Sequence, residues 1–269
     1  MKRAGILIIH GMGNQEPNFA RDFIKELRKR LGAEADELAI EPCWWADILQ
    51  QSQEDIWRRL KANNEMSWNE IRHFMISNFS DPPQYLSGYF RTGQPIYREI
   101  HERVREKLAV LEEHLDDPSA PLMILAHSLG CTIISNYMWD AQRPAPDART
   151  PFQRTETLWS LFTYGCNIPL FVPPTRPIEC ISIPWASAPA RIKPTAHWTN
   201  VFAPSDVLGF PLATLFDDLH GTRITDTAMN AGPWPISRTP FAHTEYENDE
   251  AFLSQATLEI RQMLQLPPA

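Results

Sequence analysis

The sequence predicts an α/β fold, a mostly parallel sheet with helices on both of its faces. Three features carry that prediction. Residues 4–9 (AGILII) form an unbroken apolar run ended by glycines, as expected of a strand buried on both faces. Phe19, Phe23, Leu27 and Leu31 then recur at every fourth position and Gly32 follows, the stripe of an amphipathic helix with a glycine stop. Residues 37–45 (ELAIEPCWW) read as a second strand, broken or bent near Pro42. Strand, helix and strand in that order make a parallel crossover unit.

The rest of the chain keeps this rhythm with one interruption. Residues 52–92 read as helical, with Ile71, Phe74, Met75 and Phe79 on one face and Asp81-Pro82-Pro83 ending the run. A further helix is expected over 95–115 and a buried strand over 121–126 (PLMILA). The helix after that strand turns Ile133, Ile134, Tyr137 and Met138 inward. Residues 141–154 are Pro-rich and charged, hence a surface loop, and strands are expected near 157–164, 178–183 and 198–203. A last helix spans about 249–264, capped by Asn248 or Asp249, with Phe252, Ala256, Ile260 and Leu264 as its stripe. The expected organisation is one domain over 1–269, with 52–92 as a helical insertion that caps it.

Composition narrows the function. A chain of 269 residues buries a substantial core without a metal or disulfide staple. The formal net charge is −8, and the one basic cluster, Arg28-Lys29-Arg30, ends a helix, where cations favour the macrodipole. No basic footprint for nucleic acid is present. Cys43, Cys131, Cys166 and Cys180 are widely spaced, and no C-x-x-C pair suggests a zinc site. The apolar run behind Met1-Lys2-Arg3 is too short for a signal peptide or a membrane span. A cytoplasmic protein with free thiols and no transmembrane segment is therefore expected.

The strongest chemical signal is Ala126-His127-Ser128-Leu129-Gly130, directly after a buried strand and directly before a helix. A sharp strand–turn–helix of this kind pushes a serine hydroxyl out at the carboxyl end of a sheet and needs small residues at its outer positions. Ala126 and Gly130 meet that need. The helix behind Ser128 directs its positive end at a developing oxyanion, and the N–H of Leu129 is one candidate donor. The second signal is His10-Gly11-Met12-Gly13, just after the first strand. Glycines there let backbone approach a substrate closely and supply the second donor. A dinucleotide-binding turn is the rival reading, but Gln15-Glu16 fall where its third glycine belongs. His10 suits a structural partner better than a base.

Together HGMG and AHSLG resemble the lipase-like serine esterases of the α/β-hydrolase superfamily. The resemblance covers the order of elements over most of the chain, with weaker echoes at 163–170, 203–212 and 243–246. It departs in two ways: the elbow starts with Ala126 where the family often has glycine, and the stretch from Gly11 to Ser128 exceeds what a minimal member needs. The resemblance implies oxyanion donors at Met12 and Leu129 and a triad in chain order serine, acid, histidine. Of eight histidines, His197, His220 and His243 follow the nucleophile; His243 lies in the loop before the last helix, where the family carries its base. Asp206, in Pro204-Ser205-Asp206-Val207, resembles the family's Asp-Pro-Val stretch without the proline, and Asp217, Asp218 and Asp226 are its rivals. Tyr164-Gly165-Cys166-Asn167 either lines the pocket or simply ends a strand.

The expected chemistry is hydrolysis of a small-molecule carboxylic ester, with an apolar acyl chain as one option. It runs through an acyl-Ser128 intermediate and needs no cofactor or metal. Hydrolysis of an amide, thioester or lactone by the same residues is the alternative, as is a non-catalytic binding protein on the same fold.

Overall fold

A computed structural model describes residues 2–13, 15–62, 95–143, 149–172 and 177–267. Six parallel strands form one sheet in the order β2-β1-β3-β4-β5-β6. They are β1 (Ala4–Ile9), β2 (Leu38–Cys43), β3 (Leu122–His127), β4 (Leu158–Tyr164), β5 (His197–Phe202) and β6 (Ile224–Ala228). The helices are α1 (Arg21–Leu31), α2 (Asp47–Ala62), α3 (Pro95–Glu113), α4 (Leu129–Ala141) and α5 (Glu250–Leu264).

The chain winds outward from β1 to the edge strand β2, then returns past β1 to β3 and continues to β6. Right-handed crossovers therefore place α1 on one face and α3 and α4 on the other. The packing agrees: α1 contacts α5, while α3 contacts α4. Because the winding direction reverses between β1 and β3, the loops leaving their carboxyl ends lie at the switch point of the sheet, the place where open α/β sheets bind their ligands. Those two loops carry HGMG and AHSLG.

The central strands read as continuous apolar runs because both faces are covered, and every residue of β1 and β4 is buried. Asp249 caps α5, its carboxylate accepting the N–H groups of Ala251 and Phe252 at 2.9 and 3.2 Å. In α4, Ile133, Ile134, Tyr137 and Met138 are all buried.

Four expectations are corrected or fall away. β2 runs unbroken through Pro42, which registers with Ile8; an edge strand tolerates a residue that cannot donate to a ladder. Residues 178–183 are no strand. The N–H groups of Ile178, Ser182 and Ile183 go to side chains of Asp217, Gln142 and Thr222, and only an isolated bridge joins Glu179 to Asp218. The last strand is instead Ile224–Ala228 (ITDTA), at the far edge. Residues 149–154 are not wholly a surface loop, since Phe152 is fully buried beside Gly5; 144–148 lie outside the described residues. Of the expected cap, 52–62 continue α2, and 63–92 lie outside the described residues. No helix among the described residues is long and apolar enough to cross a membrane.

Candidate active site

Ser128 sits between the end of β3 and the start of α4 with φ 50° and ψ −121°, a left-handed backbone that a non-glycine residue rarely adopts. Such strain costs roughly 1–3 kcal/mol and persists only where the surroundings enforce it. Two glycines permit the enforcing contacts. A Cβ on Gly130 would stand 2.6 Å from the His10 carbonyl oxygen, and one on Gly11 would stand 2.7 Å from Ser128 Cβ. The loop after β1 is thus pressed directly on the elbow, which is why HGMG and AHSLG meet although far apart in sequence.

The Ser128 hydroxyl lies 2.9 Å from Nε2 of His243, and Nδ1 of His243 lies 2.8 Å from Asp206 Oδ2. The carboxylate accepts, so Nδ1 carries the hydrogen and Nε2 is left to accept from Ser128. His243 comes from a short 3-10 turn, Pro240–Thr244, ahead of α5, and Asp206 comes from the loop after β5. The Asp206 side chain is fully buried. Burial pushes its pKa up, but the hydrogen bond and charge of His243, the N–H of Leu208 and the Tyr246 hydroxyl outweigh it and hold the carboxyl below its ordinary value. Gly165 and Gly209 clear space around this pair: a Cβ on Gly165 would meet the His243 ring at 3.1 Å, and one on Gly209 would meet Asp206 Oδ2 at 2.5 Å.

Behind the imidazole lie two further histidines. His10 donates from Nδ1 to the Gly11 carbonyl at 2.7 Å, accepts the Trp45 N–H at Nε2 at 3.1 Å and stacks on the Trp45 indole. Burial lowers its pKa to about 4, so it is a neutral structural partner. His127 donates from Nε2 to the His243 carbonyl at 2.9 Å and stacks on Tyr164. A cavity of about 160 Å³ opens beside these rings, lined by His10, Phe19, His127, His243 and Glu247 among others. The Glu247 carboxylate accepts from the Tyr164 hydroxyl at 2.6 Å, and its burial raises its pKa.

Asn167, just past β4, is fully buried against the start of α4. With its carboxamide nitrogen toward Ser128 it donates to the Ser128 carbonyl at 2.9 Å and to Thr132 Oγ1 at 3.0 Å, while its oxygen accepts the Leu129 N–H at 3.3 Å. One of the two expected oxyanion donors therefore has a long resting partner. Met12, which carries the other, is half-buried and packs against the core beside Gly11.

The rival residues have other partners. His197 bonds Glu259 at 2.8 Å, and His220 pairs with Asp218 on an exposed loop. Asp217 accepts the Ile178 N–H, and Asp226 accepts from Leu212, Ala213 and Asn200, pinning the loop that follows Asp206. Tyr246 and Asn167 stand in stretches whose sequence draws attention, yet nothing local in the sequence reveals their long-range bonds. Among the described residues no cluster of His, Cys, Asp or Glu could hold a metal ion.

No protein-family model and no curated protein matches the chain. Among solved structures it is similar to a protein described as a hydrolase of the α/β superfamily from Xanthomonas campestris pv. campestris (14% identity, TM-score 0.39, covering 98% of this chain and 99% of that one). It is also similar to esterase PE8 (11% identity, TM-score 0.42, covering 97% of this chain and 93% of that one). A third is dienelactone hydrolase from Anabaena variabilis (12% identity, TM-score 0.42, covering 98% of this chain and 87% of that one).

Proposed function

We propose that the chain is a serine hydrolase that cleaves a carboxylic ester through an acyl-Ser128 intermediate. The observation that carries this reading is the hydrogen-bonded series Ser128–His243–Asp206, at 2.9 and 2.8 Å, built on a strained elbow. His243 takes the hydroxyl proton as Ser128 Oγ attacks the ester carbonyl. It then returns that proton to the departing alcohol as the tetrahedral intermediate collapses to the acyl-enzyme. Water repeats the sequence, with His243 as base, and releases the carboxylic acid. Asp206 holds the imidazole in the tautomer this needs and stabilises the imidazolium.

The N–H groups of Met12 and Leu129 receive the oxyanion, Leu129 giving up its long bond to Asn167 for the stronger charged acceptor. Exposed Leu170, Val207 and Phe241 stand on the loops that carry Asn167, Asp206 and His243, which favours a small-molecule ester with an apolar acyl part.

An aryl-ester series of increasing acyl length, run with intact protein and with Ser128→Ala, tests the reading. Turnover that depends on Ser128 supports it, and turnover that survives the substitution counts against it. The same series with amide, thioester and lactone substrates separates the alternative reactions. Absence of turnover and of serine labelling favours a binding protein on this fold.

A further inference from the structure

We propose that His127, the residue immediately before the nucleophile, is a positioning residue for the base, fixing the backbone of His243 through an N–H···O=C hydrogen bond. The inference rests on the serine-hydrolase reading and deepens it.

His243 is held at three points. Its ring is fixed by Ser128 on one nitrogen and Asp206 on the other, and its main-chain carbonyl receives Nε2–H of His127 at 2.9 Å. The third point matters because of where His243 stands. Its turn, Pro240–Thr244, lies at the surface, with Phe241 74% exposed, and such short turns leave carbonyls without an internal partner. A ring tethered only by its own nitrogens could rock with that turn. Misplacement of a reacting group by ~1 Å costs about a hundredfold in rate. His127 removes that freedom, because Ser128 follows it directly and the elbow is rigidly packed. Nucleophile and base are then referred to the same strand end.

The surroundings of His127 suit the task. Its ring is stacked on Tyr164, with centroids 5.0 Å apart, and Tyr164 is itself anchored to Glu247 at 2.6 Å. Its Nδ1 edge faces Gly11, where a Cβ would come within 3.2 Å. The ring centroid is 4.8 Å from that of His243, close enough that a positive charge on His127 would oppose the imidazolium formed during reaction. Burial and the proximity of His243 push the pKa of His127 down to about 3, so it remains a neutral donor throughout the cycle.

Two substitutions separate the hydrogen bond from the packing. His127→Phe keeps a ring against Tyr164 and removes the N–H; His127→Gln returns an N–H donor. His127→Phe is expected to lower kcat by about tenfold or more, with KM changed by less than about threefold, and His127→Gln to recover most of the loss. Wild-type kcat in His127→Phe, or equal impairment in both variants, overturns the proposal. Should either variant fail to fold, nitrogen NMR of the histidine rings in the wild-type protein decides. A neutral His127 protonated at Nε2 is expected, and protonation at Nδ1 or a charged ring overturns the proposal. Fluorophosphonate labelling of Ser128 in the intact protein is scored first. Its absence counts against the hydrolase reading, whereas labelled protein with an unimpaired Phe variant counts against His127 alone.

Discussion

The hydroxyl of Tyr246 donates to Asp206 Oδ2 at 2.8 Å, the same carboxylate oxygen that receives Nδ1–H of His243. That hydroxyl also accepts the N–H of Ala203, the residue next after β5. From the turn that follows the base, Tyr246 thus joins the strand end to the acid through one oxygen atom. Tyr246→Phe leaves the buried Ala203 N–H without an acceptor and is expected to cost about 1–3 kcal/mol. Urea unfolding at neutral pH measures it, and an unchanged midpoint would remove Tyr246 from the account.

The same substitution has a pH signature. Asp206 is held below its ordinary pKa, so it contributes stability that is present above the unfolded value of 3.8 and lost as pH falls through the folded value. Tyr246 is one cause of that depression. Tyr246→Phe should therefore raise the folded pKa toward the unfolded one and move the acid-unfolding midpoint to higher pH. Circular dichroism across an acid titration checks the direction; a midpoint moved to lower pH would contradict it.

Gly11 is expected to tolerate no side chain. The added Cβ would stand 2.7 Å from Ser128 Cβ, 3.2 Å from His127 Nδ1 and 3.3 Å from the His127 carbonyl oxygen, which leaves little room to yield. Gly11→Ala should reduce ester turnover by about a hundredfold through displacement of the nucleophile, with a proportionally smaller effect on Tm. Turnover at the wild-type rate would mean that the loop after β1 is not seated on the elbow in solution.

On the α5 face, Glu259 accepts from His197 at 2.8 Å, from Thr199 at 3.1 Å and from Ser160. Burial opposes the charge on His197, but the bond and charge of Glu259 outweigh it and raise the His197 pKa above 6.5. A raised pKa gives stability that is fully present below the unfolded value and disappears as pH rises through the folded one. The Tm difference between wild type and His197→Gln should therefore be larger at pH 6 than at pH 9. Calorimetry at those two pH values tests this, and a difference that grows with pH would refute it.

The parts of this molecule that are legible in sequence are those with a local physical signature. β1 and β3 announce themselves as apolar runs because both their faces are covered, and α1 and α5 through four-residue stripes. Edge strand β6 (ITDTA) does not, because among the described residues one side of it meets no further strand and its apolar content is low. Residues 178–183 mislead for the opposite reason. Cys180, Ile181 and Ile183 are buried like strand residues, but much of their backbone bonds side chains of loops. In the candidate site, Ser128 stands out by its place between a strand and a helix, whereas His243 and Asp206 are reached only through the resemblance, which supplies the chain order serine, acid, histidine. The contacts of Tyr246, Asn167 and His127 span tens of residues and depend on tertiary packing, which periodicity and spacing do not encode.

The most direct test of the hydrolase reading is intact-mass spectrometry after treatment with a fluorophosphonate, followed by peptide mapping. The account predicts a single adduct on Ser128, formed by the wild-type protein, much slower in His243→Ala and absent in Ser128→Ala. An adduct that persists unchanged in Ser128→Ala, or a wild-type protein that hydrolyses esters while Ser128 stays unmodified, would contradict it.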